Sequence, residues 1–67
     1  MTLGEMIRKK RTEKHLTQRK LGAIMNTTNI EICNIENDKA KPNLKTLYKL
    51  AQALEIDYAT LFELRNK

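Results

Sequence analysis

Asn29, Ile30, Cys33 and Asn34 stand at i, i+1, i+4 and i+5 of one short segment, and on a helix that spacing forms a continuous stripe along one face. The chemistry this stripe offers is recognition, not bond-making. An Asn amide donates and accepts side by side, which matches the N6 and N7 edge of adenine and discriminates by about 1–3 kcal/mol per pair. Ile30 can pack on a thymine methyl, so the stripe points to an A·T-leaning nucleic-acid target, with Thr28 at the head of the segment joining the base-facing group. An ordinary solvated helix face would account for the asparagines but would leave Ile30 in water without a reason.

Other chemistries find no support. The chain has one His and one Cys, so neither a metal-ligand cluster nor a nucleophile–base pair can be assembled, and there is no Gly-rich phosphate loop. No enzyme, metal or cofactor is expected. Cys33 could be imagined as a redox switch on the stripe, but there is no second cysteine to resolve an oxidised sulfur, and a small residue at that position explains it. A single cysteine also excludes an internal disulfide and suits a reducing compartment, so a cytoplasmic location is expected.

Composition agrees with a binding module. A chain of 67 residues makes one domain, expected over residues 1–67, with a small core and no deep cleft. Hydrophobic residues at 40% and charged residues at 31% place it among globular domains. No apolar run approaches the roughly 20 residues that span a bilayer, so no membrane partner is expected, and no signal-peptide segment is read. The net charge of +5 is unevenly placed. Residues 1–49 hold eleven Lys and Arg against five acids, whereas residues 50–67 hold two against three. A basic body with a near-neutral apolar tail suggests one surface for a polyanion and another for a protein.

The elements that must position the stripe read as helices. Thr2 and Glu5 form a capping box that starts helix one near Leu3, with Leu3 and Ile7 on one face and an end near Lys14. Thr17 caps helix two, whose apolar spacing comes from Leu21, Ile24 and Met25. Asn26 and Thr27 make the turn, Asn26 being able to take the left-handed conformation. Thr28 and Glu31 form a second capping box opening helix three, with Ile32 and Ile35 toward the core. Residues 37–42 are a loop, Asn43 caps a helix carrying Leu44, Leu47, Leu50, Ala51 and Leu54, and Asp57 caps a last helix with Leu61, Phe62 and Leu64. The expected fold is all-α, a compact five-helix bundle with helices two and three forming a helix-turn-helix.

Phosphate contacts follow from this layout. Thr17 and Gln18 lie at the start of helix two, where free backbone N–H groups and the helix dipole attract anions. Asn37, Lys39 and Lys41 come just after helix three and are expected on the same half-site. Arg8, Lys9, Lys10, Arg19 and Lys20 are weaker candidates, since surface lysines are mostly just solvated. One domain reads too few base pairs for a useful site, so a two-fold homodimer on two half-sites about 34–36 Å apart is expected. Tyr58, Leu61, Phe62 and Leu64 give residues 57–67 more apolar area than one helix buries, making this the expected dimerisation segment, with Tyr58 and Leu64 exposed.

The ordered set Leu16-Thr17-Gln18, Leu21, Met25, Ile32, Ile35-Glu36-Asn37, Lys39, Pro42, Leu47, Leu50-Ala51, Leu54 and Leu61-Phe62 resembles the phage repressor and Cro type of helix-turn-helix domain, the Xre family, over nearly the whole chain. The resemblance implies a lambda-repressor-like fold and a transcriptional regulator of double-stranded DNA, a repressor more often than an activator. It implies that Gln18 contacts the DNA backbone and buttresses Asn29. It also implies that Arg11 and Glu36 form a structural, partly buried ion pair. Family members usually carry Gly at the positions of His15, Asn26, Asp38 and Glu55, and Ala at Gly22. If the turns stay left-handed, His15 and Glu55 should each cost on the order of 1 kcal/mol. Gly22 should allow closer approach of helix three. A reading from another class is an antitoxin-like or adaptor module, in which the apolar tail binds a protein partner or antirepressor and DNA binding is secondary.

Overall fold

A computed structural model describes residues 1–67 as five helices with no strand: α1 Leu3–Glu13, α2 Gln18–Ile24, α3 Asn29–Glu36, α4 Leu44–Leu54 and α5 Tyr58–Arg65. None is long and apolar enough to cross a membrane. The α2 and α3 helices pack on each other, α1 lies across α3, and α4 and α5 close the other side. Ile7, Leu21, Ile32, Ile35, Leu47, Leu50, Leu54 and Leu61 are the largest fully enclosed side chains, so every helix contributes to one core.

Four of the five starts are set by a side chain that accepts an otherwise free backbone N–H. Thr2 and Glu5 form the complete box at α1, and Thr17 and Asn43 accept from Lys20 and Thr46. Two expected caps differ. Thr28 accepts from Glu31 N, but the Glu31 carboxylate takes the Thr27 hydroxyl instead of the Thr28 N–H, so only half a box forms. Asp57 sits at the cap position of α5 without a side-chain cap bond. Two apolar positions also differ. Ile24 is 54% exposed because Leu21 and Met25 alone take the inner seam of α2, and Leu44 is 49% exposed on the first turn of α4.

The helix ends share one geometry. His15, Asn26, Asp38 and Glu55 all have φ of 56–58°, the left-handed region. After each, a backbone N–H returns to a carbonyl five residues back: Leu16 to Arg11, Thr27 to Gly22, Lys39 to Asn34 and Ile56 to Ala51. This is the six-to-one bond of a Schellman ending, and glycine usually fills the left-handed place. Here glycine fills none of the four.

Asp38 has a reason to be there. Its carboxylate accepts the Gly4 N–H at 3.0 Å and the Thr2 hydroxyl at 2.7 Å, capping α1 from the end of α3. The two glycines serve close approach instead. A Cβ on Gly4 would lie 2.4 Å from Glu36 O and 2.6 Å from Ile35 O, and one on Gly22 would lie 3.0–3.2 Å from the Thr27–Thr28 backbone. Nothing in the sequence pattern singled out Gly4.

Two substitutions test this backbone account by thermal unfolding. His15→Gly removes left-handed strain at an exposed residue with no side-chain bond and should add about 0.5–1 kcal/mol, a rise of several degrees in Tm. Gly4→Ala must push α1 off the end of α3 and should lose about 1–3 kcal/mol.

Candidate nucleic-acid interface

The orientation of α3 follows from its two inward side chains. Ile32 and Ile35 are buried at 0% and 1% exposure, and they stand three positions apart on one face. The opposite face carries Asn29 and Ile30, both exposed, then Cys33 and Asn34, half-buried. Ile30 is 68% exposed, a large apolar side chain facing water at the head of the stripe. Thr28 is exposed, with its oxygen engaged as the α3 cap.

The other end of α3 is held by charge. Glu36 is the one buried charged residue. Its Oε2 lies 2.5 Å from Arg11 Nε, and its Oε1 accepts from Arg11 Nη2 at 3.1 Å, Gln18 Nε2 at 3.1 Å and Arg8 Nε at 3.2 Å. Arg11 Nη1 donates to Leu16 O at 2.7 Å, so the same guanidinium also holds the α1–α2 turn. One carboxylate therefore ties α1, α2 and α3 together. Burial alone would raise the Glu36 pKa. The bonds from Arg11, Gln18 and Arg8, with the Arg11 charge, outweigh that and hold it below the ordinary carboxylate value of 4.5.

This hub engages the side chains of two residues expected on phosphate. Gln18 Nε2 faces Glu36, not Asn29, because the buried carboxylate is the stronger acceptor within reach. Asn37 Oδ1 accepts from Arg8 Nη2 at 2.7 Å and its Nδ2 lies 3.4 Å from Cys33 Sγ, so its side chain is engaged within the protein. Arg8 enters the site as an addition: it is half-exposed, and it joins the hub to the end of α3. Thr17 is exposed and caps α2. Lys39 and Lys41 are exposed on the α3–α4 loop with no internal ion pair, and the N–H of Lys39 holds the loop to Asn34 O at 2.8 Å.

The tail differs more from expectation. Leu61 is wholly enclosed and cannot meet a partner, because it faces the core that α4 and α5 share. Phe62 is 38% exposed, while Tyr58 and Leu64 are half-buried against the core, the reverse of the expected split. Tyr48 of α4, which the sequence reading passed over, is 54% exposed and stands edge-on to Tyr58 with ring centroids 6.0 Å apart. Tyr58 and Phe62 are also 6.0 Å apart, so the outer face is an aromatic row shared by two helices.

A helix with an uncovered polar-and-apolar stripe, an α2–α3 turn and an adjoining lysine loop are the parts of a helix-turn-helix DNA-binding domain. Residues 7–61 match the helix-turn-helix family, and the chain belongs to it, within the phage repressor and Cro type. It is similar to two proteins of Bacillus phage phi105. Identity is 34% over 59 residues with the ImmF control region 10 kDa protein, covering 88% of this chain and 66% of that one. It is 36% over 61 residues with the immunity repressor protein, covering 91% of this chain and 42% of that one. The chain thus spans about two thirds and under half of these relatives. Among solved structures it is similar to the P22 c2 repressor in complex with a synthetic operator, with a TM-score of 0.87, 30% identity, and coverage of 91% of this chain and 92% of that one. The family and fold are those of DNA-binding regulators, not of enzymes.

The lowered Glu36 pKa makes stability depend on pH with a definite sign. A carboxylate whose folded pKa lies below its unfolded value stabilises the fold above the unfolded value, and that contribution is lost as pH falls through the folded one. Urea midpoints should therefore drop below about pH 4.5, and Glu36→Gln should flatten that dependence. Glu36→Ala should cost about 3–5 kcal/mol near neutrality by stranding the partly buried Arg11 charge.

Proposed function

We propose that this chain is a transcriptional repressor that binds a two-fold symmetric operator as a homodimer, with α3 of each copy in the major groove. The observation that carries this reading is the orientation of α3. Its two isoleucines are enclosed, its far end is pinned by the Glu36 hub, and Asn29, Ile30, Cys33 and Asn34 are left facing outward beside an unpaired lysine loop. Asn29 and Asn34 would pair with adenine edges, Ile30 would meet a thymine methyl, and Thr28 and Cys33 would pack beside them. Lys39, Lys41 and the α2 start at Thr17 would take phosphates and set the register, with Gln18 and Asn37 contributing chiefly through the hub.

The eight residues of α3 cover about 12 Å, too short to specify a site alone. We assign the homodimer to the aromatic face, with Phe62 and Tyr48 as the exposed contacts and Tyr58 and Leu64 as their half-buried support. A bound dimer would act by occluding a promoter. The likeness to a repressor solved with its operator supports this reading.

Selection of bound duplexes from a random pool should yield an A·T-leaning palindrome. On that duplex Asn34→Ala should relax preference at one base position and lose about 1–3 kcal/mol, with little loss on scrambled DNA. Lys39→Ala should weaken both duplexes alike. Equal effects of the two changes on matched and scrambled sites would remove α3 as the reader. In sedimentation or gel shift, Phe62→Lys should leave the fold intact but abolish cooperative occupancy of two half-sites; undiminished cooperativity would remove the aromatic face from the dimer.

A further inference from the structure

The end of α5 adds to the basic surface of the lysine loop in a way that the charge pattern conceals. A groove of about 540 Å³ runs between the start of α1, the α3–α4 loop and the C-terminal turn of α5. Lys39 and Lys41 line it from the loop, and Arg65 and Lys67 line it from α5. Four cations from two distant segments therefore face one channel. Asp38 is the one acidic side chain in its wall; its carboxylate accepts the Gly4 N–H and the Thr2 hydroxyl, and four cationic side chains outweigh it. None of the three lysines has a carboxylate partner, and Arg65 donates only to Pro42 O at 2.6 Å and Asn66 Oδ1 at 3.0 Å, so its charge is uncompensated.

The Arg65–Pro42 bond spans 23 residues and fixes the end of α5 to the lysine loop. Leu3 and Leu64 add an apolar component to the lining. A ligand that fits is an extended polyanion with an apolar edge. A DNA strand has that chemistry, with regularly spaced phosphates on sugars that present carbon.

We infer that this groove extends the DNA-backbone site, with Lys67 and Arg65 carrying the phosphate track of Lys39 and Lys41 beyond the segment covered by α3. The inference rests on the proposed DNA-binding function and deepens it. It gives the end of α5 a role in binding DNA, where the net charge of residues 50–67 predicted only a protein contact.

The decisive variant is Lys67→Gln, at an exposed residue with no side-chain bond within the protein. Binding of the full chain to the selected duplex and to a scrambled duplex is measured from 50 to 200 mM salt. Each phosphate neutralised contributes about 0.9 to the log–log slope. Lys67→Gln should flatten the slope by about one on both duplexes, and Lys41→Gln with Lys67→Gln by about two, with the thermal midpoint unchanged. A slope unmoved by Lys67→Gln overturns the inference and leaves the groove to an acidic protein surface or to solvent, even where Lys39→Ala still flattens it. If the unmodified chain binds both duplexes alike, sequence reading by α3 fails separately, and the Lys67→Gln slope still decides the groove.

Discussion

A charge with no access to water must be met by the protein, and here that requirement organises the three helices that matter most. Glu36 is the last residue of α3, where an acid is also opposed by the helix dipole. It is tolerated because Arg11, Gln18 and Arg8 converge on it. Each donor comes from a different turn of α1 or α2, so the carboxylate can be satisfied only when both helices have reached their places. Replacing such a group by apolar residues of equal volume is often neutral for stability, and its use is better sought in specificity. In this chain the specificity is one of orientation: the bonds at Glu36 limit how α3 can rotate about its own axis.

That limit is needed because apolar packing alone holds α3 loosely. Helices shorter than about 12–15 residues are marginal on their own, and α3 has eight. Ile32 and Ile35 say which side is in, but two side chains on one seam leave the helix free to roll. The Thr28 cap fixes its first turn and the Glu36 hub its last. Close approach at Gly4 and Gly22 then removes the remaining slack, since backbone meets helix where any side chain would intrude. Asp38 closes the arrangement by giving the left-handed residue after α3 a second task, the capping of α1.

Much of this was legible from residue order because it depends on neighbours in sequence. Caps at Thr2, Thr17, Thr28 and Asn43, the inward turn of Ile32 and Ile35, and the places where the chain must turn are local matters of side-chain reach and periodicity. What could not be read locally is where a long polar side chain goes once three elements compete for it. Gln18 and Asn37 have the composition of phosphate contacts, and the side chain of each is also bonded inside the protein. Ile24 fits the helical spacing, but only the packed bundle shows that Leu21 and Met25 exhaust the inner seam of α2. Tyr48 and Arg65 were invisible for the same reason, since each acquires its meaning from a helix distant in sequence.

The two ends of the molecule now stand in a definite relation. The aromatic row on α4 and α5 and the basic groove at the end of α5 share a helix, and Arg65 bonds that helix to the loop that carries Lys39 and Lys41. A displacement of α5 would strain or break the 2.6 Å bond from Arg65 to Pro42 O, so this bond favours one placement of α5 against the loop. A second copy docked on the aromatic row would hold α5, and through Arg65 it would hold the lysines as well. In the proposed dimer, contact between copies and contact with phosphate would then be coupled through one hydrogen bond and the helix that bears it. The coupling needs no conformational switch, only the stiffness of a short helix whose Leu61 is locked in the core.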